Sequence, residues 1–203
     1  MYVLAVTGGI GAGKSTAVDF LRARGAVVIS FDEAAKRHLE PGTPVYARIV
    51  EEFGQSVLGE EDRIDTAALA REAFASSECA RRLNAIVHPA LLREMGPGLT
   101  EMGLLQNPPR IVVLDIPLLV ESPVFAELVS EVLAISAPVE ERIGRAVSRG
   151  MPEADVRARV ACQASDAERE AIADHVIVND GTRDEFLSAL DRFWQEVVED
   201  GSR

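Results

Sequence analysis

Five short runs rich in valine, isoleucine and leucine punctuate this chain, at residues 2–7, 26–30, 110–115, 131–136 and 175–178. Each is almost continuously apolar instead of alternating with polar residues. Such runs suit strands covered on both faces, as in a parallel sheet. Between them the apolar spacing changes to three and four. Residues 14–24 place Ala17, Val18, Phe20 and Leu21 on a helical stripe, and Gly25 follows as a stop. Residues 182–198 repeat the pattern with Phe186, Leu187, Leu190, Phe193, Trp194 and Val197. Strands alternating with helices predict an α/β fold: an open, doubly wound, five-stranded parallel sheet with helices on both faces.

About eighty residues separate the second and third runs, too many for a simple crossover. Their periodicity is helical over 47–53, 66–75, 77–87 and 89–105, with turns at "PGTP" (41–44), "GEED" (59–62) and "NPP" (107–109). The break after His88 is expected because the residue before a proline avoids the helical conformation. The reading is a core of residues 1–40 and 108–203, interrupted by a helical insertion, 41–107, over the carboxyl edge of the sheet. The tail "EDGSR" is expected to fray.

Composition narrows the classes. A chain of 203 residues suits one full α/β domain, and 47% apolar residues let it bury a real core, which argues against disorder. The net charge of −12 argues against nucleic acid or an anionic membrane as a partner met through overall charge. Cys79 and Cys162 have no metal-binding spacing and read as reduced thiols. The first apolar run stops at Thr7, too short for a signal peptide, and no run reaches the length of a membrane span. A soluble cytoplasmic protein is expected.

The first strand leads into "TGGIGAGKST" (7–16), where Gly8, Gly13, Lys14 and Ser15 match the phosphate-binding loop pattern G-x-x-x-x-G-K-[ST]. Glycines bring backbone N–H groups within reach of phosphate oxygens, and the dipole of the following helix favours the same anion. Gly9, Gly11, Ala12, Gly13, Lys14, Ser15 and Thr16 are the expected nucleotide contacts. Lys14 would reach the β- and γ-phosphates, and the Ser15 hydroxyl would hold Mg²⁺. A nucleoside triphosphate is expected here. The guanine-reading N-K-x-D segment of GTPases is absent, since Asn84, Asn107 and Asn179 do not supply it. A small phosphotransferase is the class that fits.

Such an enzyme needs an acceptor-side base, a second carboxylate for the metal and cationic cover. Asp32 follows the second strand, at the carboxyl end where chemistry gathers in a doubly wound sheet. There it would orient or deprotonate an acceptor hydroxyl; its alternative reading is a helix cap for 33–39. Asp115 ends "RIVVLD" and would ligate Mg²⁺, or else serve as a turn residue before Pro117. Arg142, Arg145 and Arg149 share one helical face after the fourth strand, with Arg157 and Arg159 following. They read as a lid, 140–169, in which Arg142 would bind ATP and stabilise charge during transfer. The competing reading is a solvated face paired to Glu140, Glu141, Glu153 and Asp155. His88 is a candidate substrate contact, whereas His38 and His175 read as surface or packing residues.

Taken together, "TGGIGAGKST", "EPGTP" (40–44), "IVHPAL" (86–91), "PLLVES" (117–122), "QAS" (163–165) and "IADHVIVNDG" (172–181) resemble the dephospho-CoA kinase family along nearly the full length. That resemblance implies a P-loop NTPase-like core with helical insertion and lid. It implies transfer of the ATP γ-phosphoryl group to the ribose 3′-hydroxyl of dephospho-CoA with Mg²⁺. By position, Asp32 matches the family's base. Arg82, His88 and Pro89 fall on the acceptor-facing segment, Leu118 and Glu121 lie near the reacting groups, and Asn179 falls in a loop near the adenine. Two departures stand out. The family's Asp-x-Asp is Ser30-Phe31-Asp32 here, and its arginine after "QAS" is Asp166, with Arg169 kept three residues on. Rival readings are another small-metabolite or nucleoside monophosphate kinase, and a nucleotide-binding regulatory module without catalysis.

Overall fold

A computed structural model describes residues 1–73 and 76–199, so the predicted helical positions 74–75 and the tail from 200 onward lie outside the described residues. Five strands form one parallel sheet: β1 (Tyr2–Gly8), β2 (Val27–Ser30), β3 (Ile111–Asp115), β4 (Glu131–Ser136) and β5 (His175–Val178), in the order β2-β3-β1-β4-β5. The helices are α1 (Lys14–Ala23), α2 (Phe31–His38), α3 (Pro44–Phe53), α4 (Thr66–Ala73), α5 (Ser77–Gly103), α6 (Val139–Ser148), α7 (Glu153–Cys162), α8 (Asp166–Ala171) and α9 (Arg183–Phe193). A π-helical turn, Trp194–Glu199, continues α9.

The expected strands are all present, with β1 one residue longer and β2 beginning at Val27. Alternate residues of the central strands serve opposite faces. Leu4, Val6, Ile111, Val113, Leu133 and Ile135 pack with Ala17, Val18 and Leu21 of α1 and Phe186 and Leu190 of α9. Their neighbours Val3, Ala5, Val112, Leu114, Val132 and Ala134 are buried too, and α8 lies against β1 and β4. Burial on both faces is why these strands read as unbroken apolar runs.

Strand order reverses at β1, which has β3 on one side and β4 on the other. Register aligns the carboxyl ends: Asp115 pairs with Val6 and Ser30, Gly8 with Ile135, and Ser136 with Val178. The loop after β1 therefore leaves the sheet at its topological switch point, where open α/β sheets bind ligands.

Two compact units divide the chain, Met1–Ser30 with Met102–Arg203, and Phe31–Glu101. The second is helical. Its principal element corrects the expected break at His88, because α5 runs unbroken through both Pro89 and Pro97. An interior proline costs about 3 kcal/mol by removing a donor and crowding the preceding turn. Along α5, Ile86, Val87, Leu91, Met95 and Leu99 are buried, at roughly 1.5–3 kcal/mol each. Their sum outweighs two prolines, so tertiary burial overrides the local rule.

Candidate active site

The phosphate loop is shaped by glycines at the positions where a side chain is excluded. Gly11 has φ +78°, and a Cβ there would lie 2.1 Å from the Arg142 carbonyl oxygen. Gly13, at φ +110°, precedes α1, and a Cβ there would meet Asn179 Nδ2 at 2.5 Å. No side chain caps α1, whereas α3, α8 and α9 are capped by Thr43, Ser165 and Thr182. The first-turn amides of α1 thus keep their donors for an anion.

A cavity of about 200 Å³ lies over this loop, lined by Gly8 to Gly11, Gly13 to Thr16, Pro117, Arg149 and Gln163. It is smaller than the roughly 300–1,000 Å³ of a pocket that encloses a whole small molecule. Its size and donors suit the phosphate end of a nucleotide. Lys14 Nζ donates to Asp115 Oδ1, so two predicted site residues meet beside the loop. Ser15 and Thr16 line the cavity at the start of α1. Thr7 Oγ1 donates to the Pro117 carbonyl at 3.2 Å, tying the end of β1 to the loop that carries Leu118 and Glu121.

Contacts distant in sequence hold the loop's outer side. Asn179 Nδ2 donates to the Ala12 carbonyl at 2.7 Å, and the Asn179 carbonyl accepts from Arg145 Nη2 at 3.0 Å. Gln163 Oε1 accepts from the Ile10 amide at 3.2 Å. Glu121 Oε1 accepts from the Ala164 amide at 2.8 Å, while its buried Oε2 has no hydrogen-bond partner. The chain between α7 and α8 is thereby pinned to two loops of the core.

The predicted arginine cluster separates into four environments. Arg142 is 3% exposed and packs on Gly9, where a Cβ would lie 1.9 Å from Arg142 Nη1. Arg145 is shared between Glu141 and the Asn179 carbonyl, and Arg149 lines the cavity. Arg157 pairs with Glu140 and Glu153 on the solvated side, the plainer of the two readings for a charge run. Arg169, 1% exposed, joins Arg142 at Gly9. Burial draws the Arg142 guanidinium below its ordinary pKa; Asp166 opposes that shift and the charge of Arg169 reinforces it.

Asp32, Arg82, His88 and Pro89 belong to the helical unit. Asp32 is exposed in the first turn of α2, two residues along the chain from Ser30. Arg82 pairs with Glu52 at 2.7 Å and lies over the Phe53 ring at 5.6 Å. His88 is half-buried within α5, and burial lowers its pKa. Gln163, which opens the "QAS" stretch, is a site residue that no local motif marks. Gln163 touches the loop across 153 residues of chain, a pairing that local pattern does not encode.

Ser15 and Asp115 offer hard oxygen ligands, which fit Mg²⁺ bound jointly with phosphate oxygens. Among the described residues, no group of three or more His, Cys, Asp or Glu side chains forms an all-protein metal site. No described helix is long and apolar enough to cross a membrane.

Comparison with known proteins gives concordant results. A family profile described as dephospho-CoA kinase matches residues 2–185. The dephospho-CoA kinase of Thermobifida fusca (strain YX) is 42% identical over 198 residues, covering 97% of this chain and 96% of that protein. The crystal structure of TT1252 from Thermus thermophilus matches with a TM-score of 0.76 and 33% identity, covering 97% of each chain. A dephospho-CoA kinase from Campylobacter jejuni superposes with a TM-score of 0.69 over 98% of each chain at 22% identity, a likeness of fold.

Proposed function

The chain belongs to the dephospho-CoA kinase family, and from that premise we propose how its own residues carry the reaction. The enzyme phosphorylates dephospho-CoA with ATP, giving CoA. The acceptor atom is the ribose 3′-hydroxyl. The observation that supports this reading best is the meeting of Lys14 and Asp115 beside a loop whose amides open into a phosphate-sized cavity.

In this reading Gly9, Gly11, Ala12, Gly13, Lys14, Ser15 and Thr16 cradle the ATP phosphates, and Arg142 covers them. Asn179 steadies the loop near the adenine side. Ser15 and Asp115 would hold Mg²⁺, which would supply neutralisation of phosphate charge during transfer. Lys14, paired with Asp115 before nucleotide arrives, turns to the phosphates when that carboxylate engages elsewhere. Asp32 orients the hydroxyl and takes its proton during in-line attack. Arg82, His88, Pro89, Leu118 and Glu121 form the acceptor-side set. A cytoplasmic setting goes with these small-molecule substrates.

The test is a coupled ADP-release assay with ATP, Mg²⁺ and dephospho-CoA, with CoA identified as product. Asp32→Asn is expected to lose at least about a hundredfold in kcat, the lower range for a general base. ADP release with AMP, CMP or a sugar as acceptor, but none with dephospho-CoA, would overturn the substrate. Undiminished turnover in Asp32→Asn would overturn the base alone.

A further inference from the structure

The two arginines at Gly9 are not fully compensated. A Cβ built on Gly9 would lie 1.9 Å from Arg142 Nη1 and 3.2 Å from Arg169 Nη1, so both guanidinium groups converge on one edge of the phosphate loop. They repel one another, and burial removes the water that would screen that repulsion. Asp166 stands between them, with Oδ2 at 3.2 Å from Arg142 Nη2 and Oδ1 at 3.3 Å from Arg169 Nη1. Both separations are long beside the roughly 2.7–2.9 Å of a good charge-assisted bond. Arg142 Nε, Arg169 Nε and Arg169 Nη2 are buried without a hydrogen-bond partner.

Neighbouring charges are committed elsewhere. Asp115 is matched by Lys14, Glu168 closes the capping box of α8, and Glu170 accepts from Ser136 Oγ. Glu121, held by the Ala164 amide, forms no ion pair with either arginine among the described residues, so Asp166 is the carboxylate that serves both buried cations, with three donors left over. Such a site has capacity for one more anion at the rim of the loop.

We infer that Asp166 is a placeholder counter-ion: it holds Arg142 and Arg169 on the phosphate loop before nucleotide binds, and competes with the incoming phosphate for their donors. The protein thereby keeps a preformed arginine pair at some cost in ATP affinity. This inference rests on the reading of the loop as the ATP site. Asp166 is placed by α8, whose capping box fixes the first turn that carries it.

The experiment measures ATP affinity by calorimetry, and KM for each substrate, in the wild type, Asp166→Asn, Asp166→Ser and Asp166→Glu. Removing a like charge from a desolvated anion site is expected to lower the Kd for ATP about five- to tenfold in Asp166→Asn. KM for ATP should fall with it, and KM for dephospho-CoA should not move. Asp166→Glu restores the charge and is expected to restore the wild-type Kd. Asp166→Ser removes the charge with less bulk, so either neutral variant that keeps the wild-type circular dichroism decides the matter. Equal or weaker ATP binding in a folded neutral variant overturns the placeholder role alone. A wild type that does not bind ATP overturns the site reading, and this inference with it.

Discussion

In the unit that carries the phosphate loop, Arg142 and Arg169 are 3% and 1% exposed, share Asp166, and leave three donors unpaired. In the helical unit Phe31–Glu101, Arg37, Arg63 and Arg82 each meet a different glutamate at the surface, Glu94, Glu40 and Glu52, the first of which also meets His38. The second arrangement is inexpensive and contributes little, because solvent and salt screen it. The first is expensive, because desolvated charge is repaid only by near-ideal pairing, which these arginines lack. A fold selected for stability alone would fill that volume with apolar side chains. Imperfectly paired charge facing a glycine loop is what an anion site requires before its anion arrives.

Arg169→Met breaks this comparison hardest. It removes one of two mutually repelling cations and leaves Arg142 and Asp166 matched one to one. The unfolding midpoint is expected not to fall, although a large buried side chain has been shortened. Turnover is expected to drop about a hundredfold, the scale of losing one preorganised charge at a developing anion. Thermal unfolding and the ADP-release assay read the two effects separately. A clear fall in the midpoint with turnover intact would make Arg169 a structural residue and end the contrast with the helical unit.

The same contrast explains what local pattern discloses. The central strands β1, β3 and β4 are legible because burial on both faces leaves a continuous apolar run, and the partly exposed edge strands β2 and β5 share that apolar pattern. The loop is legible because backbone close to phosphate demands glycine and a fixed lysine. The continuity of α5 is hidden, since the proline rule is local and the burial of Ile86, Leu91 and Met95 is not. Helices α7 and α8 are short and charged, so the lid reads as an arginine cluster without internal structure. Within it, Arg142 and Arg157 look alike in sequence, yet one is buried on Gly9 and the other sits in a solvated pair. Only contacts between distant segments separate them. Asp166 carries a signal, a carboxylate where arginines gather, but its partners become visible only in three dimensions.

A smaller effect sharpens the helical side. Glu94 of α5 accepts from Arg37 and lies 2.7 Å from His38 Nε2. Burial alone would raise its carboxyl, but the hydrogen bonds and charge interactions from Arg37 and His38 bring it below the ordinary carboxylate value. A depressed folded-state pKa contributes stability that is present in full above the unfolded-state value. That contribution is lost as pH falls through the folded-state value. Acid should therefore cost the wild type more than Glu94→Gln, with the two unfolding curves converging as pH drops below about 4. Curves that stay parallel would show that Glu94 is not held by its partners in solution.

The smallest effect is expected at Arg63 and Glu40, which touch in the structure but are 55% and 54% exposed at their side chains. Contact between exposed charges gains little Coulomb energy, costs side-chain entropy and is screened at physiological salt. Nothing in their surroundings withdraws water, so the geometry of the pair does not translate into coupling. A double-mutant cycle with Arg63→Ala and Glu40→Ala, read by chemical unfolding at low and physiological salt, should give no measurable coupling at the higher salt. A substantial, salt-insensitive coupling would mean that solvent does not screen the helical unit as its exposure implies. The division between inexpensive surface charge there and costly buried charge at the phosphate loop would then fail from its other end.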